Sequence, residues 1–292
     1  MGAWISPLDG LPVRSARSER AAAAGILASR SAAWRDSRRI RCEGGVAVAK
    51  FAVILPAAGR SSRFQDQHYK KPFAPLANRA VWLHAADRFI NRDDVAQTIL
   101  VISPDDRADF EFKFASNAAI LGIEVVEGGA ERCDSVAAAL ARVKPSADFV
   151  CVHDAVRPCL ADEWITRIFE AAEKTGAAIF AIPVVGTLKR VGADRKVQQT
   201  VAREGLWEAQ TPQVFRRELL VEAYARREGF LATDDAQLIE RLGHPVTIVP
   251  GSPINLKITT REDLRLAEHA MKALPRPRLG PLHPFAGEDM WR

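Results

Sequence analysis

Cysteine is scarce in this chain of 292 residues: there are four, Cys42, Cys133, Cys151 and Cys159, with no CxxC pair and no zinc spacing. So sparse a set in a long chain predicts reduced thiols in a cytoplasmic compartment and no structural zinc. No run of eighteen apolar residues exists, which excludes a membrane-spanning helix. An excess of one charge is also missing once the first 45 residues are set aside, because their eight Arg and four acids hold +4 of the net +5. A near-neutral body lacks the basic face that phosphate contacts need, so neither nucleic acid nor membrane is an expected partner. There is no GxSxG elbow, which argues against a serine hydrolase. His68, His84 and His153 lie too far apart in pattern for a metal cluster, and His84 reads as a packed helical residue.

What remains is a chain that is 48% hydrophobic, enough to bury a full core. Residues 1–47 are rich in Ala, Arg and Ser and show no strand pattern, so they read as a disordered or non-native N-terminal extension. Three accounts compete for it: an organelle (plastid) transit peptide, a basic binding tail, or a stretch outside the translated protein. The last follows from the lack of any Met between Met1 and Met271, with Val46 and Val48 directly before the first strand. From residue 51 short β-branched runs alternate with longer segments of helical period, the pattern of an α/β fold. The strands are expected at Phe51–Leu55, Thr98–Ile102, Ile123–Val126, Phe149–Val152, Ala178–Ile182 and Val246–Val249. Helices are expected around Ala80–Phe89, over Val136–Val143, and at Glu163–Lys174 with Asp162 as N-cap and Gly176 beyond its end. A mostly parallel three-layer sandwich over residues 48–272 follows, with a flexible Pro-rich tail at 273–292.

In such a sheet ligands bind beyond the carboxyl ends of the strands. Four segments there carry chemistry. Pro56-Ala57-Ala58-Gly59-Arg60-Ser61-Ser62-Arg63, followed by Lys70-Lys71-Pro72, combines small residues that let backbone amides approach an anion with cations for phosphate oxygens. It is neither a Walker A nor a GxGxxG loop, and an ordinary turn with solvated basic residues is the plain alternative. Gly128-Gly129-Ala130-Glu131-Arg132-Cys133-Asp134-Ser135 runs as a turn into a helix and suits a base edge or a phosphate, or simply a routine loop. His153-Asp154-Ala155-Val156-Arg157-Pro158 puts a carboxylate at a strand's end, a natural ligand for Mg2+ beside phosphates, or else a cap or a partner for Arg157. Asn255-Leu256-Lys257-Ile258-Thr259 places Lys257 inside a strand-like segment, where a lysine meets an anion or snorkels from an edge.

In this order, these segments resemble the 2-C-methyl-D-erythritol 4-phosphate cytidylyltransferase family of the non-mevalonate isoprenoid pathway. The match continues through Thr187 and Lys189, Gln210-Thr211-Pro212-Gln213-Val214-Phe215 and Thr233-Asp234-Asp235-Ala236, covering about residues 50–270. The resemblance implies a three-layer Rossmann-like nucleotidyltransferase domain with a mostly parallel twisted sheet and a dimerisation arm, about residues 185–213, that completes a homodimer. It implies transfer of CMP from CTP to methylerythritol phosphate, with Mg2+ as cofactor. By the same resemblance Pro56, Ala57, Ala58, Gly59, Gly129 and Ser135 would hold the nucleotide, and Asp154 would bind both nucleotide and metal. Arg63, Lys71 and Lys257 would be catalytic, while Arg157, Thr187, Arg203, Thr211 and Thr233 would meet the second substrate.

Ser61 and Ala130 depart from the family pattern, which usually has Gly and Asp there. The loop between Arg63 and Lys71 is one residue longer than the family's usual length, so Lys70 rivals Lys71; Lys71 is favoured because Pro72-Phe73 follow it. Two other functions stay open at this level: a cytidylyltransferase for another polyol phosphate such as ribitol 5-phosphate, and a nucleotide-binding protein without activity.

Overall fold

The computed structural model describes residues 48–59, 61, 64 and 69–275. The expectations for residues 1–47, for Arg63 and for residues 276–292 therefore lie outside the described residues. Among those described, eleven strands alternate with helices: β1 (Phe51–Pro56), β2 (Pro75–Leu76), β3 (Arg79–Ala80), β4 (Val95–Ile102), β5 (Ile123–Glu127) and β6 (Phe149–Val152) come first. β7 (Ala177–Pro183), β8 (Leu188–Val191), β9 (Val197–Val201), β10 (Trp207–Arg216) and β11 (Thr247–Pro250) follow. The α-helices are α1 (Val81–Ala86), α2 (Arg107–Ile120), α3 (Arg132–Leu140), α4 (Asp162–Thr175), α5 (Arg217–Ala225), α6 (Asp235–Arg241) and α7 (Arg261–Lys272).

Seven strands form one sheet in the order β11-β7-β10-β6-β1-β4-β5. β1 pairs in parallel with both β4 and β6, β4 with β5, and β7 with β11. Only β10 runs against its neighbours β6 and β7. The central strands are apolar throughout because both faces are covered. From β1, Phe51, Val53 and Leu55 pack with Trp82, Phe110, Ile165 and Phe169 on one face, while Ile54 joins Val136, Leu219 and Ile239 on the other. The Phe51 and Phe169 rings stack with centroids 3.7 Å apart.

Several local expectations change. α4 starts at Asp162 itself, with the extended Ala161 in the N-cap position and no side-chain cap; Gly176 does end it, at φ 85°. α3 begins four residues before Val136, at Arg132, since Glu131 and Asp134 exchange backbone and side-chain bonds as a capping box. α1 is shorter than Ala80–Phe89, ending at Ala86. Asn255–Thr259 is not a strand but an irregular run before α7, so Lys257 is no lysine on a buried strand. Within 185–213, the stretch expected as an arm, β8 and β9 pair as a hairpin and Trp207–Gln213 belongs to β10 in the main sheet. Within β10 the register against β7 slips between Ala209 and Gln213, and all of Gln210–Phe215 is buried.

Candidate active site

The chain leaves β1 towards β4 and β5 and returns to β6 on the other side of β1, so the exits of β1 and β6 open a crevice between diverging connections. Because β10 is antiparallel, the residues before Gln213, which pairs with Val152, reach that same edge. Two adjoining cavities lie there. One, of about 340 Å³, is lined by Pro56, Ala57, Ala58, Gly59, Ser61, Lys71, Gly129, Ala130 and Ser135 among others; the second, of about 220 Å³, is lined by Arg157, Gln210, Thr211, Gln213, Thr233 and Asp234. Arg132, Asp154 and Lys257 line both.

The first cavity is walled by two loops in contact. A Cβ on Gly128 would meet Ser135 Oγ at 2.5 Å and the Ala58 Cβ at 2.9 Å, so glycine is required for the approach. Ser61 adopts a φ of 52°, in the left-handed region that favours glycine. Its Oγ accepts the Lys71 N–H at 3.2 Å and donates to the Gly59 carbonyl at 3.4 Å, tying the loop to the lysine. Lys70 turns away to pair with Asp106 at 2.7 Å, while Lys71 lines the cavity. The Ser135 hydroxyl donates back along α3 to the Glu131 carbonyl at 3.1 Å.

Where the cavities meet, Asp154 is buried and faces three cations: Lys257 Nζ at 2.8 Å and Arg157 Nε at 3.6 Å from Oδ2, and Arg132 Nε at 3.9 Å from Oδ1. Burial disfavours its ionised form, but the fields of Lys257, Arg132 and Arg157 outweigh that and hold the carboxyl well below the usual range. Asp154 is therefore an ionised oxygen donor. The half-exposed Lys257 reaches it because Ile258 N–H bonds the Val156 carbonyl at 2.9 Å and the Asn255 amide donates to the Thr211 carbonyl at 2.8 Å.

His153 is a strut. Burial pushes its pKa down to about 4, so the ring is neutral. Its Nε2 lies 2.9 Å from the Arg157 carbonyl and must carry the proton, so Nδ1 accepts from the Thr211 hydroxyl at 3.2 Å. The same hydroxyl oxygen accepts the Asp154 N–H at 3.0 Å. Thr211 thus lines the second cavity with its hydroxyl engaged in holding the His153–Asp154 turn.

Of the residues expected from sequence, Pro56, Ala57, Ala58, Gly59, Lys71, Gly129, Ser135, Asp154, Arg157, Thr211, Thr233 and Lys257 line the two cavities. Thr187 and Arg203 do not: both are exposed beside the β8–β9 hairpin, where Arg203 Nη1 donates to the Val185 carbonyl. Three residues were given no role from sequence. Gln213 accepts the N–H groups of Asp235 and Ala236 at 3.1 Å each; Asn255 fixes Thr211; and Arg132 pairs with Asp235 at 2.7 Å. The signal for all three was their place in segments matched to the family, which drew no role from them.

The model of the 2-C-methyl-D-erythritol 4-phosphate cytidylyltransferase family matches residues 51–273. The chain belongs to this family. Among named cytidylyltransferases it is 46% identical over 231 residues to that of Rhodopirellula baltica, covering 75% of this chain and 94% of the relative. It is 41% identical to the cytidylyltransferase of Bacillus pumilus, covering 76% and 97%. The solved cytidylyltransferase of Thermus thermophilus superposes with a TM-score of 0.62 at 36% identity, over 76% of this chain and 99% of that one. That of Francisella tularensis gives 0.64 at 28%, over 76% and 100%. The cytidylyltransferase fold thus accounts for the mostly parallel sheet. Among the described residues no helix is long and apolar enough to cross a membrane.

Proposed function

We infer that this chain transfers CMP from CTP to 2-C-methyl-D-erythritol 4-phosphate, giving 4-diphosphocytidyl-2-C-methyl-D-erythritol and pyrophosphate in the non-mevalonate isoprenoid pathway. The observation that carries this reading is the shared wall of two cavities, where Arg132, Asp154 and Lys257 meet. A nucleotide in the larger cavity and a polyol phosphate in the smaller would bring their phosphates together there. A phosphate-monoester oxygen of the acceptor attacks the α-phosphorus; a new phosphorus–oxygen bond forms as the bond to the β-phosphate breaks. The nucleophile is already ionised near neutral pH, its second pKa being about 6, so no general base is needed. That suits a site whose His153 is neutral and bonded at both nitrogens. The protein's task is to orient two anions and offset their charge. Lys71 and Lys257 supply cations from the lining of the larger cavity, with Arg63 as the third catalytic group; Arg157 and Thr233 orient the acceptor.

The Asp154 carboxylate fits Mg2+, since it is held ionised and its Oδ1 has Arg132 no nearer than 3.9 Å, beyond hydrogen-bonding distance. Asp154 would hold such an ion, whose remaining sites waters and substrate phosphates would fill, and it would supply positive charge to offset that of the phosphates. The proposal extends to a homodimer, because Thr187 and Arg203 flank the β8–β9 hairpin, whose Val191 and Val197 are exposed, as is Val185 before it. A second copy would bring that hairpin to the acceptor cavity. We place the enzyme in the cytoplasm, a setting supported by the buried, unbridged Cys133, Cys151 and Cys159.

Pyrophosphate release by the full chain with CTP and Mg2+ tests this reading. Turnover with methylerythritol phosphate and none with ribitol 5-phosphate is the expected result. Turnover with ribitol 5-phosphate alone would transfer the enzyme to another polyol, and silence with both, despite stabilisation by CTP, would leave a binding protein.

A further inference from the structure

Arg132 stands between the cavities and on α3, yet what holds it comes from a segment 103 residues further along the chain. Its Nη2 lies 2.7 Å from Asp235 Oδ2, and Asp235 is fully buried at the start of α6. The second oxygen of that carboxylate, Oδ1, accepts the Tyr224 hydroxyl from α5 at 2.6 Å. The Asp235 backbone N–H is held by Gln213 at 3.1 Å. With both oxygens and the main chain tied, the carboxylate has one orientation, and the guanidinium is set so that Nε faces Asp154 Oδ1 at 3.9 Å. Tyr224 lines neither cavity.

We propose that Tyr224 is a positioning residue for phosphoryl transfer: through Asp235 it fixes the Arg132 guanidinium beside Asp154, where the two substrates' phosphates meet. The proposal rests on the cytidylyltransferase reading. A buried carboxylate bonded by a single partner can turn about its terminal bond, and its arginine turns with it. Placement errors near 1 Å are enough to lower a rate by up to about a hundredfold. The phenol stays the donor, since burial and the adjoining Asp235 carboxylate push its pKa well up. Losing the hydroxyl alone leaves Arg132 its charge and its ion pair, so the effect falls on placement and not on net charge. It therefore belongs to kcat more than to the affinity for CTP.

The test is steady-state pyrophosphate release by the full chain as wild type, Tyr224→Phe, Asp235→Asn and the double variant, run well below the lowest thermal midpoint of the set. Tyr224→Phe is expected to lower kcat about tenfold with the KM for CTP within about threefold, and Asp235→Asn about a hundredfold. Because the hydroxyl acts through the carboxylate, the double variant should be no slower than Asp235→Asn alone. A Tyr224→Phe enzyme within about twofold of wild-type kcat, whatever its thermal midpoint, overturns the proposal. So does a double variant in which the two losses multiply. A silent wild type would bring down the cytidylyltransferase reading, and the proposal with it, whereas an active wild type leaves the variants to decide the proposal alone.

Discussion

Asp154 holds three cations in place, so its loss acts twice: it removes an oxygen donor and releases mutual repulsion among Lys257, Arg157 and Arg132. Asp154→Ala should lower turnover by about a hundredfold to a thousandfold in the same assay, with the Mg2+ dependence flattened. Ser61 offers a finer test. A non-glycine residue at φ 52° is strained by about 1 kcal/mol, and its hydroxyl offsets that by bonding Lys71. Ser61→Ala keeps the strain and loses the bond, so it should be less stable by about 1 kcal/mol, while Ser61→Gly should stay near wild type in urea unfolding. His153 sets a pH dependence. Its folded pKa is lowered to about 4, so the unfolded chain binds the extra proton between there and about 6.5, and stability falls as pH drops through that window. From pH 7 to pH 5 the loss should be about 2 kcal/mol, and a His153→Asn chain should show a shallower decline in unfolding free energy over the same range. That Lys71, Asp154 and Lys257 line one cavity was legible through the resemblance, since their segments follow the family's order, whereas the residues alone left a solvated turn, a cap and a snorkelling lysine open. Tyr224 and Asp235 were not, since the chain separation between Asp235 and Arg132 leaves no periodic trace.

α6 is short, and its start depends on two side chains from outside the helix. Asp234 accepts the Gln237 N–H at 3.1 Å, and Gln213 on β10 accepts those of Asp235 and Ala236. Gln213→Ala would orphan two buried donors, at about 1–3 kcal/mol each, so a lowered urea midpoint with an unchanged slope is expected. Strands β1, β4 and β6 were readable as apolar runs because helices cover both their faces. β10 was not, for Trp-Glu-Ala-Gln-Thr-Pro-Gln-Val-Phe-Arg has neither alternation nor an apolar run. Its polar residues are satisfied by partners distant in sequence, such as Asn255 and Asp235, and periodicity reports nothing of those. The early start of α3 was hidden because glutamate is an uncommon N-cap and draws its role from Asp134 three residues on.

At the scale of the whole molecule, the exposed hairpin β8–β9 is where the proposed homodimer can be tested. It presents Val191 and Val197 to solvent at 50% and 61% exposure, while the sheet core beside it is sealed. Val191→Asp with Val197→Asp should halve the sedimenting mass if the arms pair two copies, and should lower turnover together with it. Co-expressed chains carrying Asp154→Asn and Arg203→Ala separately should recover about a quarter of wild-type activity, because each mixed dimer keeps one intact site. No recovery would place Arg203 in its own chain's site or in none. The slipped register of β10 between Ala209 and Gln213 joins this arm to the crevice. A regular strand turns successive side chains to opposite faces, so removing or inserting one residue in this stretch would exchange faces for everything on one side of the change. Thr211 must keep the hydroxyl that holds the His153–Asp154 turn, while the number of residues from Gln210 to Pro212 sets the phase between the hairpin and the floor of the site; at this point the molecule reads sequence as a ruler.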